Sequence, residues 1–286
     1  MRVLVTGGGG FIGGWIVLRL REAGYSPVVF DKHENRAKVA EIAGAATAES
    51  LDWITGDIAE TDQVDTACRG CERVIHLAGL LTPACQANPV LGAQVNLIGT
   101  INAFLAARNH GITSVAWMSS AGVFGPEGGP EPRPTTQYGA FKLGAEHSAR
   151  AFFADDGISS IAFRPYVVYG PGREVGISAG PSLACRAAAI GERYTIPFSG
   201  PIDLIHADDV ARFLFWPSHP RNPARMLPIL SGAAPKPMKS RIRSPILSPE
   251  PGFRPRVRFF RSTFRTRSQP LPNCSPAGPR CPWKQG

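Results

Sequence analysis

Tyr138 and Lys142 stand four residues apart in the stretch Tyr138-Gly139-Ala140-Phe141-Lys142. On a helix, residues at that spacing share one face. A free tyrosine has a pKa near ~10 and is a poor base at neutral pH. An ammonium beside it stabilises the phenolate and lowers that value. A serine hydroxyl nearby can orient a substrate oxygen and share its proton. Ser119-Ser120 supplies one, directly after the apolar run Ile112 to Met118. The chemistry these residues could do is proton transfer to and from a hydroxyl, with the tyrosine oxygen as acid/base and a serine hydroxyl beside it. A lone Y-x-x-x-K arises often by chance, so its meaning depends on the elements around it.

A second chemical stretch lies at the N-terminus. Gly7, Gly10 and Gly13 fall at G-x-x-G-x-x-G spacing between the apolar run Val3 to Val5 and the helix-period run Phe11 to Leu20. Glycine permits a tight turn and lets backbone N–H groups approach a pyrophosphate, while the helix N-terminus adds partial positive charge. An ordinary glycine-rich turn is the plain alternative, but the strand and helix around the motif and the acid at Asp31 favour a nucleotide site. Asp31 ends the run Pro27 to Phe30, 18 residues beyond Gly13. A carboxylate there can accept hydrogen bonds from both ribose hydroxyls and would repel a 2′-phosphate, which favours NAD over NADP. It could also cap a helix.

The elements that must position these residues follow in order. Leu51 to Thr55 and Arg73 to Leu77 read as third and fourth strands, residues 60–69 as a helix, Pro89 to Asn109 as a long helix and Ile112 to Met118 as a fifth strand. A proline- and glycine-rich loop, Pro126 to Pro134, precedes the helix that begins near Tyr138. Strands alternating with helices predict an α/β fold: a Rossmann-type, doubly wound parallel sheet with its ligand crevice at the carboxyl ends of the strands.

Taken together the segments resemble the NAD-dependent epimerase/dehydratase family of extended short-chain dehydrogenases/reductases. The matching pieces are Thr6-Gly7-x-x-Gly10-Phe11-Ile12-Gly13, Asp31, Gly56-Asp57-Ile58, His76-Leu77-Ala78-Gly79, Asn96 to Thr100, the Ser120 loop, Tyr138-x-x-x-Lys142, Arg164 to Gly172 and His206 to Ala211. The resemblance implies that the glycine loop, with Phe11 and Ile12, holds the pyrophosphate of NAD. It implies Asp31 for the ribose, Asp57 and Ile58 for the adenine, and Leu77, Ala78 and Gly79 for the cofactor as well. Tyr138 would be the acid/base, Ser120 its substrate-side partner, Lys142 a holder of the nicotinamide ribose, and Asn96 a support for the active-site helix and a water. It also implies residues 1–171 as the NAD-binding domain, 172–216 as a partial substrate-binding region with returning Rossmann segments, in which 172–205 form part of a small lid, and a homodimer through helices near 90–109 and 138–153.

Two departures narrow the activity. The family's tyrosine after the serine is Phe124, and the acids that its dehydratases and decarboxylases carry beside the serine-loop hydroxyl are Ala121 and Gly122. Eliminating water needs a second acid/base, which favours an epimerase or a simple dehydrogenase acting on a secondary alcohol of a sugar or nucleotide-sugar. A catalytically impaired nucleotide-binding protein is the alternative. Arg173 and Arg186 could meet a phosphate or carboxylate or stand solvated on the surface; Arg173, beside a Pro-Gly turn, is the better candidate.

Composition divides the chain. Residues 217–286 carry 14 of the 31 Lys and Arg residues, one acid (Glu250) and 15 of the 27 prolines, whereas residues 1–216 carry 17 basic and 21 acidic residues. Proline at that density removes N–H donors and breaks helices, so the tail reads as disordered. The family's order stops near Trp216, and the abrupt change is what a G+C-rich gene read out of frame would give. A nucleic-acid role for the basic tail is disfavoured, because its arginines form no recognisable module. No apolar run approaches the ~20 residues of a membrane span, and no signal peptide is apparent, so the expected location is cytoplasmic. Cys68 and Cys71 form a C-x-x-C without a second pair or a histidine cluster, and no metal site is expected.

Overall fold

A computed structural model describes residues 1–126, 131–200, 202–215 and 230–231. The tail expected from residue 217 otherwise lies outside the described residues, as does the centre of the loop before Tyr138. The strands are β1 (Arg2–Thr6), β2 (Ser26–Asp31), β3 (Asp52–Thr55), β4 (Arg73–His76), β5 (Ser114–Met118), β6 (Ser159–Arg164), β7 (Val167–Tyr169), β8 (Leu204–His206) and β9 (Leu230–Ser231). The principal sheet has the order β3-β2-β1-β4-β5-β6-β9 and is parallel throughout. β7 and β8 pair separately, Val167 opposite Leu204 and Tyr169 opposite His206. The order reverses between β1 and β4, and such a switch point opens a crevice at the carboxyl ends of the strands.

The helices are α1 (Phe11–Glu22), α2 (Arg36–Ala43), α3 (Ala45–Glu49), α4 (Thr61–Cys68), α5 (Thr82–Ala87), α6 (Pro89–Ala93), α7 (Gly99–Asn109), α8 (Gln137–Asp156), α9 (Gly180–Ala189) and α10 (Ala207–Phe215). Alternate residues of each strand feed opposite faces. Leu4, Val28, Val74, Val115 and Trp117 are buried with Phe104 and Ala145 on one face. Val3, Val5, Ile75 and Met118 are buried with Ile16, Val210 and Leu214 on the other. Asp208 pairs with Arg19, which ties α10 to α1.

The stretch Pro89–Asn109 corrects the expectation about membrane spans. It is long and apolar enough to cross a membrane by length and composition. In the fold it is a core element: Ala103, Phe104, Ala106 and Ala107 are buried against the sheet. It is also not one regular helix, because residues Gln94–Ile98 form a π turn between α6 and α7. Such turns gather at functional sites.

Candidate active site

The site is assembled where β1, β2, β4 and β5 end. β1 gives way to a glycine turn whose spacing follows from contact. Gly7 has φ +71°, and a Cβ there would lie 2.6 Å from the Ala78 nitrogen. A Cβ on Gly13 would lie 2.5 Å from the Gly7 carbonyl oxygen. The turn therefore packs against Leu77–Gly79 after β4, and α1 packs against the turn. Gly10 caps α1 without a side-chain hydrogen bond, so the first N–H groups of that helix face the crevice with no side-chain partner. These features fit a pyrophosphate. Asp31 completes the cradle: its Oδ2 accepts from the Gly9 N–H at 2.9 Å and its Oδ1 from the Lys32 N–H at 2.7 Å.

Asp57 accepts from the Ala59 N–H at 3.0 Å and pairs with Lys32 at 2.9 Å. The backbone N–H and the ammonium together hold its carboxyl below the usual range. Ile58 turns its side chain into the core, where it touches the position a Gly99 Cβ would fill.

Ser120, Tyr138 and Lys142 come together. Thr136 caps α8 by accepting from the Gly139 N–H at 3.1 Å, which starts that helix one residue before Tyr138. The Ser120 hydroxyl and the Tyr138 ring meet around Gly122, where a Cβ would lie 3.3 Å from the Ser120 Oγ and 3.8 Å from the tyrosine ring, and Ser120 Oγ accepts from the Gly122 N–H at 3.0 Å. The Lys142 ammonium stands 5.9 Å from the Tyr138 ring centroid. It is buried and donates to the Met118 carbonyl oxygen at 2.9 Å. Burial pulls its pKa down to about 8.

The expected depression of the tyrosine is not found. Burial pushes the Tyr138 phenol above its ordinary value; the Ser120 hydroxyl and the Arg173 charge oppose that shift.

Asn96 sits in the π turn. Its Nδ2 donates towards the carbonyl oxygens of Leu80 at 3.2 Å and Gly92 at 3.1 Å and the Cys85 sulfur at 3.2 Å, while its Oδ1 is buried without a partner. A Cβ on Gly79 would meet that Oδ1 at 2.7 Å and the Lys142 Nζ at 3.5 Å. Behind it, Thr100 donates to the Asn96 carbonyl oxygen at 2.8 Å, so it can only accept from His76 Nε2 at 3.0 Å. His76 Nδ1 then accepts from the Thr6 hydroxyl at 2.7 Å. Burial and the nearby Lys142 charge push His76 down to about 3, so it is a neutral spacer.

Two functional supports escaped the sequence reading. Glu146 is buried, bonded by Arg164 through two guanidinium nitrogens and by the Ser119 hydroxyl. It lies four residues beyond Lys142 on the Tyr138–Lys142 stripe, so a third polar residue on a core-facing helix stripe was the available signal. The other is Gly139, pressed against the Gly122 carbonyl oxygen. Arg164 also lies 4.9 Å over the Phe124 ring, which gives the phenylalanine of the serine loop a packing role. Cys68 and Cys71 are free, buried thiols, and burial pushes Cys68 up to about 12.

Comparisons with known proteins agree with this arrangement. The profile described as the NAD dependent epimerase/dehydratase family matches residues 3–221. UDP-glucose 4-epimerase 3 from Oryza sativa subsp. japonica is 36% identical over 171 residues, covering 54% of this chain and 45% of that protein. The chain thus spans about half the length of the curated relatives it matches. Among solved structures, the Thermus thermophilus UDP-glucose 4-epimerase complex with NAD is similar with a TM-score of 0.62 and 28% identity, over 74% of this chain and 72% of that one. MoeE5 in complex with UDP-glucose and NAD is similar with a TM-score of 0.61 and 31% identity, over 75% and 70%. The glycine cradle, the strand-end serine, the Tyr138–Lys142 pair and a match over most of the chain lead to one assignment: this protein belongs to the NAD-dependent epimerase/dehydratase family.

Proposed function

We propose that this chain binds NAD and acts on a secondary alcohol of a sugar or nucleotide-sugar, as an epimerase or a dehydrogenase. The observation that carries the reading is the meeting of Ser120, Tyr138 and Lys142 beside the glycine cradle. The turn at Gly7, Gly10 and Gly13 and the N–H groups of Phe11 and Ile12 would hold the pyrophosphate. Asp31 would hold the adenosine ribose, Asp57 and Ile58 the adenine edge, and Leu77–Gly79 with Lys142 the nicotinamide side. Bound there, NAD supplies a hydride acceptor and donor.

The chain's own part is proton handling. The Tyr138 phenol gives its proton to the substrate oxygen when a ketone is reduced, and as phenolate takes it back when the hydroxyl is oxidised, while Ser120 holds that oxygen in place. Lys142 is fixed by the Met118 carbonyl oxygen. Ala121 and Gly122 offer no second acid beside Ser120, which supports hydride and proton exchange without loss of water. The exposed apolar side chains of Val90, Leu91 and Ile98 favour a homodimer through the segment 90–109 together with the helix over 138–153.

The test is turnover of UDP-glucose and UDP-galactose with NAD by wild type and Tyr138→Phe. Wild type is expected to bind NADH and turn over, and the variant to bind NADH but lose about 10²–10⁴-fold in rate. Undiminished turnover by the variant overturns the role of Tyr138. A chain that binds NADH but never turns over supports the catalytically impaired alternative.

A further inference from the structure

Arg173 is a cation without an anion. Its Nη2 donates to the Ser178 hydroxyl at 3.2 Å, and its Nε is buried with no acceptor. No carboxylate pairs with it among the described residues. The neighbouring Glu174 is turned away, held by Lys38 at 2.6 Å and Arg186 at 3.4 Å. An unpaired charge that is largely desolvated is costly, and a guanidinium presents a planar fork suited to phosphate or carboxylate.

The position of the cation is built. Gly172 at φ +88° and Gly176 at φ +100° bracket it in the chain. A Cβ on Gly172 would touch Ile42 of α2 at 2.7 Å, and one on Gly176 would meet the Arg173 Nη2 at 3.1 Å and Leu81 at 3.3 Å. The guanidinium lies 5.8 Å from the Phe11 ring of the glycine turn. Its charge is felt at Tyr138. The cation is therefore fixed beside the start of α1, next to the glycine cradle, before any ligand arrives, which lowers the ordering cost of binding.

We propose that Arg173 is the oxyanion receptor of the substrate crevice, binding a phosphate or carboxylate of the substrate and so selecting anionic sugars. The inference rests on the reading that the crevice takes a sugar substrate beside NAD. A nucleotide-sugar offers two sources of that chemistry, its diphosphate and, in an acidic sugar, a ring carboxylate. MoeE5, one of the solved neighbours, is also known in complex with UDP-glucuronic acid and NAD.

The experiment is calorimetric titration of wild type, Arg173→Gln and Arg173→Lys. UDP-glucose, UDP-glucuronate and inorganic pyrophosphate are titrated into chain saturated with NADH, and NADH into the free chain. Arg173→Gln is expected to weaken UDP-sugar binding about 10- to 100-fold, as loss of a charged hydrogen bond does, with NADH affinity unchanged. Arg173→Lys should recover part of the loss. Equal losses for both sugars assign the diphosphate, and a loss confined to UDP-glucuronate assigns the carboxylate. Unchanged sugar affinities, or a loss confined to NADH, overturn the inference. If wild type binds neither UDP-sugar, the sugar reading fails, and pyrophosphate decides: binding that Arg173→Gln abolishes keeps the oxyanion site, and no such binding removes it.

Discussion

Gly139 and Gly122 touch backbone to backbone: a Cβ on Gly139 would lie 2.4 Å from the Gly122 carbonyl oxygen. That approach presses the first turn of α8 onto the serine loop and sets how closely Tyr138 stands to Ser120. A carbonyl cannot swing aside as a flexible side chain would. Gly139→Ala is therefore expected to cost about 1–3 kcal/mol, as overpacking does. It should lower kcat more than NADH affinity, since the cradle lies elsewhere. Chemical denaturation and NADH titration of the variant check both halves, and an unchanged kcat would show that the close approach is dispensable.

Glu146 and Arg164 form a buried pair that locks α8 to the end of β6. Glu146→Gln leaves the guanidinium without a charge partner, and breaking one half of such a pair typically costs about 3–5 kcal/mol. Replacing both, as in Glu146→Leu with Arg164→Met, should cost less than the sum of the single changes. Urea midpoints of the four proteins in the cycle measure this. Additive losses would mean that the two side chains act independently.

Asp31 bears on cofactor choice. Asp31→Ala removes the acceptor of the Gly9 N–H and the carboxylate offered to a ribose. NADH binding should weaken about 10- to 100-fold, and NADPH binding should weaken less, because the carboxylate repels a 2′-phosphate. Fluorescence titration with both nucleotides gives the ratio. Wild type preferring NADPH would contradict the assignment.

His76 makes stability depend on acidity. In the folded chain it stays neutral down to about pH 3, whereas the unfolded chain protonates it near its ordinary value of 6.5. The unfolded state thus binds more protons between these values, so its contribution to stability is lost as pH falls from about 6.5 towards 3. The slope is about 1.4 kcal/mol per pH unit. His76→Gln should flatten the profile by that amount in denaturation curves taken across the window. An equal slope in both proteins would mean that other groups carry the acid sensitivity.

The parts legible in the sequence were those whose cause is local. Gly7, Gly10 and Gly13 could be read because one tight turn explains all three, and the apolar runs Val3 to Val5 and Pro27 to Phe30 are buried strands. Tyr138 and Lys142 could be paired because helical spacing alone brings them together. The sequence reading assigned nothing to residues 36–49, where α2 and α3 are short, are separated at Gly44 and bury little beyond Val39 and Ala48, so no apolar stripe marks them. The Glu146–Arg164 pair joins a helix to a strand across 18 residues, and no spacing rule links such positions. The raised pKa of Tyr138 depends on burial contributed by distant segments, so the proximity of Lys142 alone pointed the wrong way. Leu230–Ser231, within the proline-rich tail, nonetheless pair with Phe163 and Arg164 as an edge strand.

The central place of β1 has a consequence for biosynthesis. Its two sheet neighbours, β2 and β4, begin at residues 26 and 73, so as the chain leaves the ribosome β1 waits for partners on both sides. Parallel pairing also requires each intervening crossover to close before the strands meet, which slows assembly. Until residue 76 has emerged, one edge of Arg2–Thr6 stays unpaired and its apolar side chains lack half their cover. The glycine turn cannot pack against Leu77–Gly79 until β4 has emerged, so β4, rather than β1, decides when the glycine cradle takes shape.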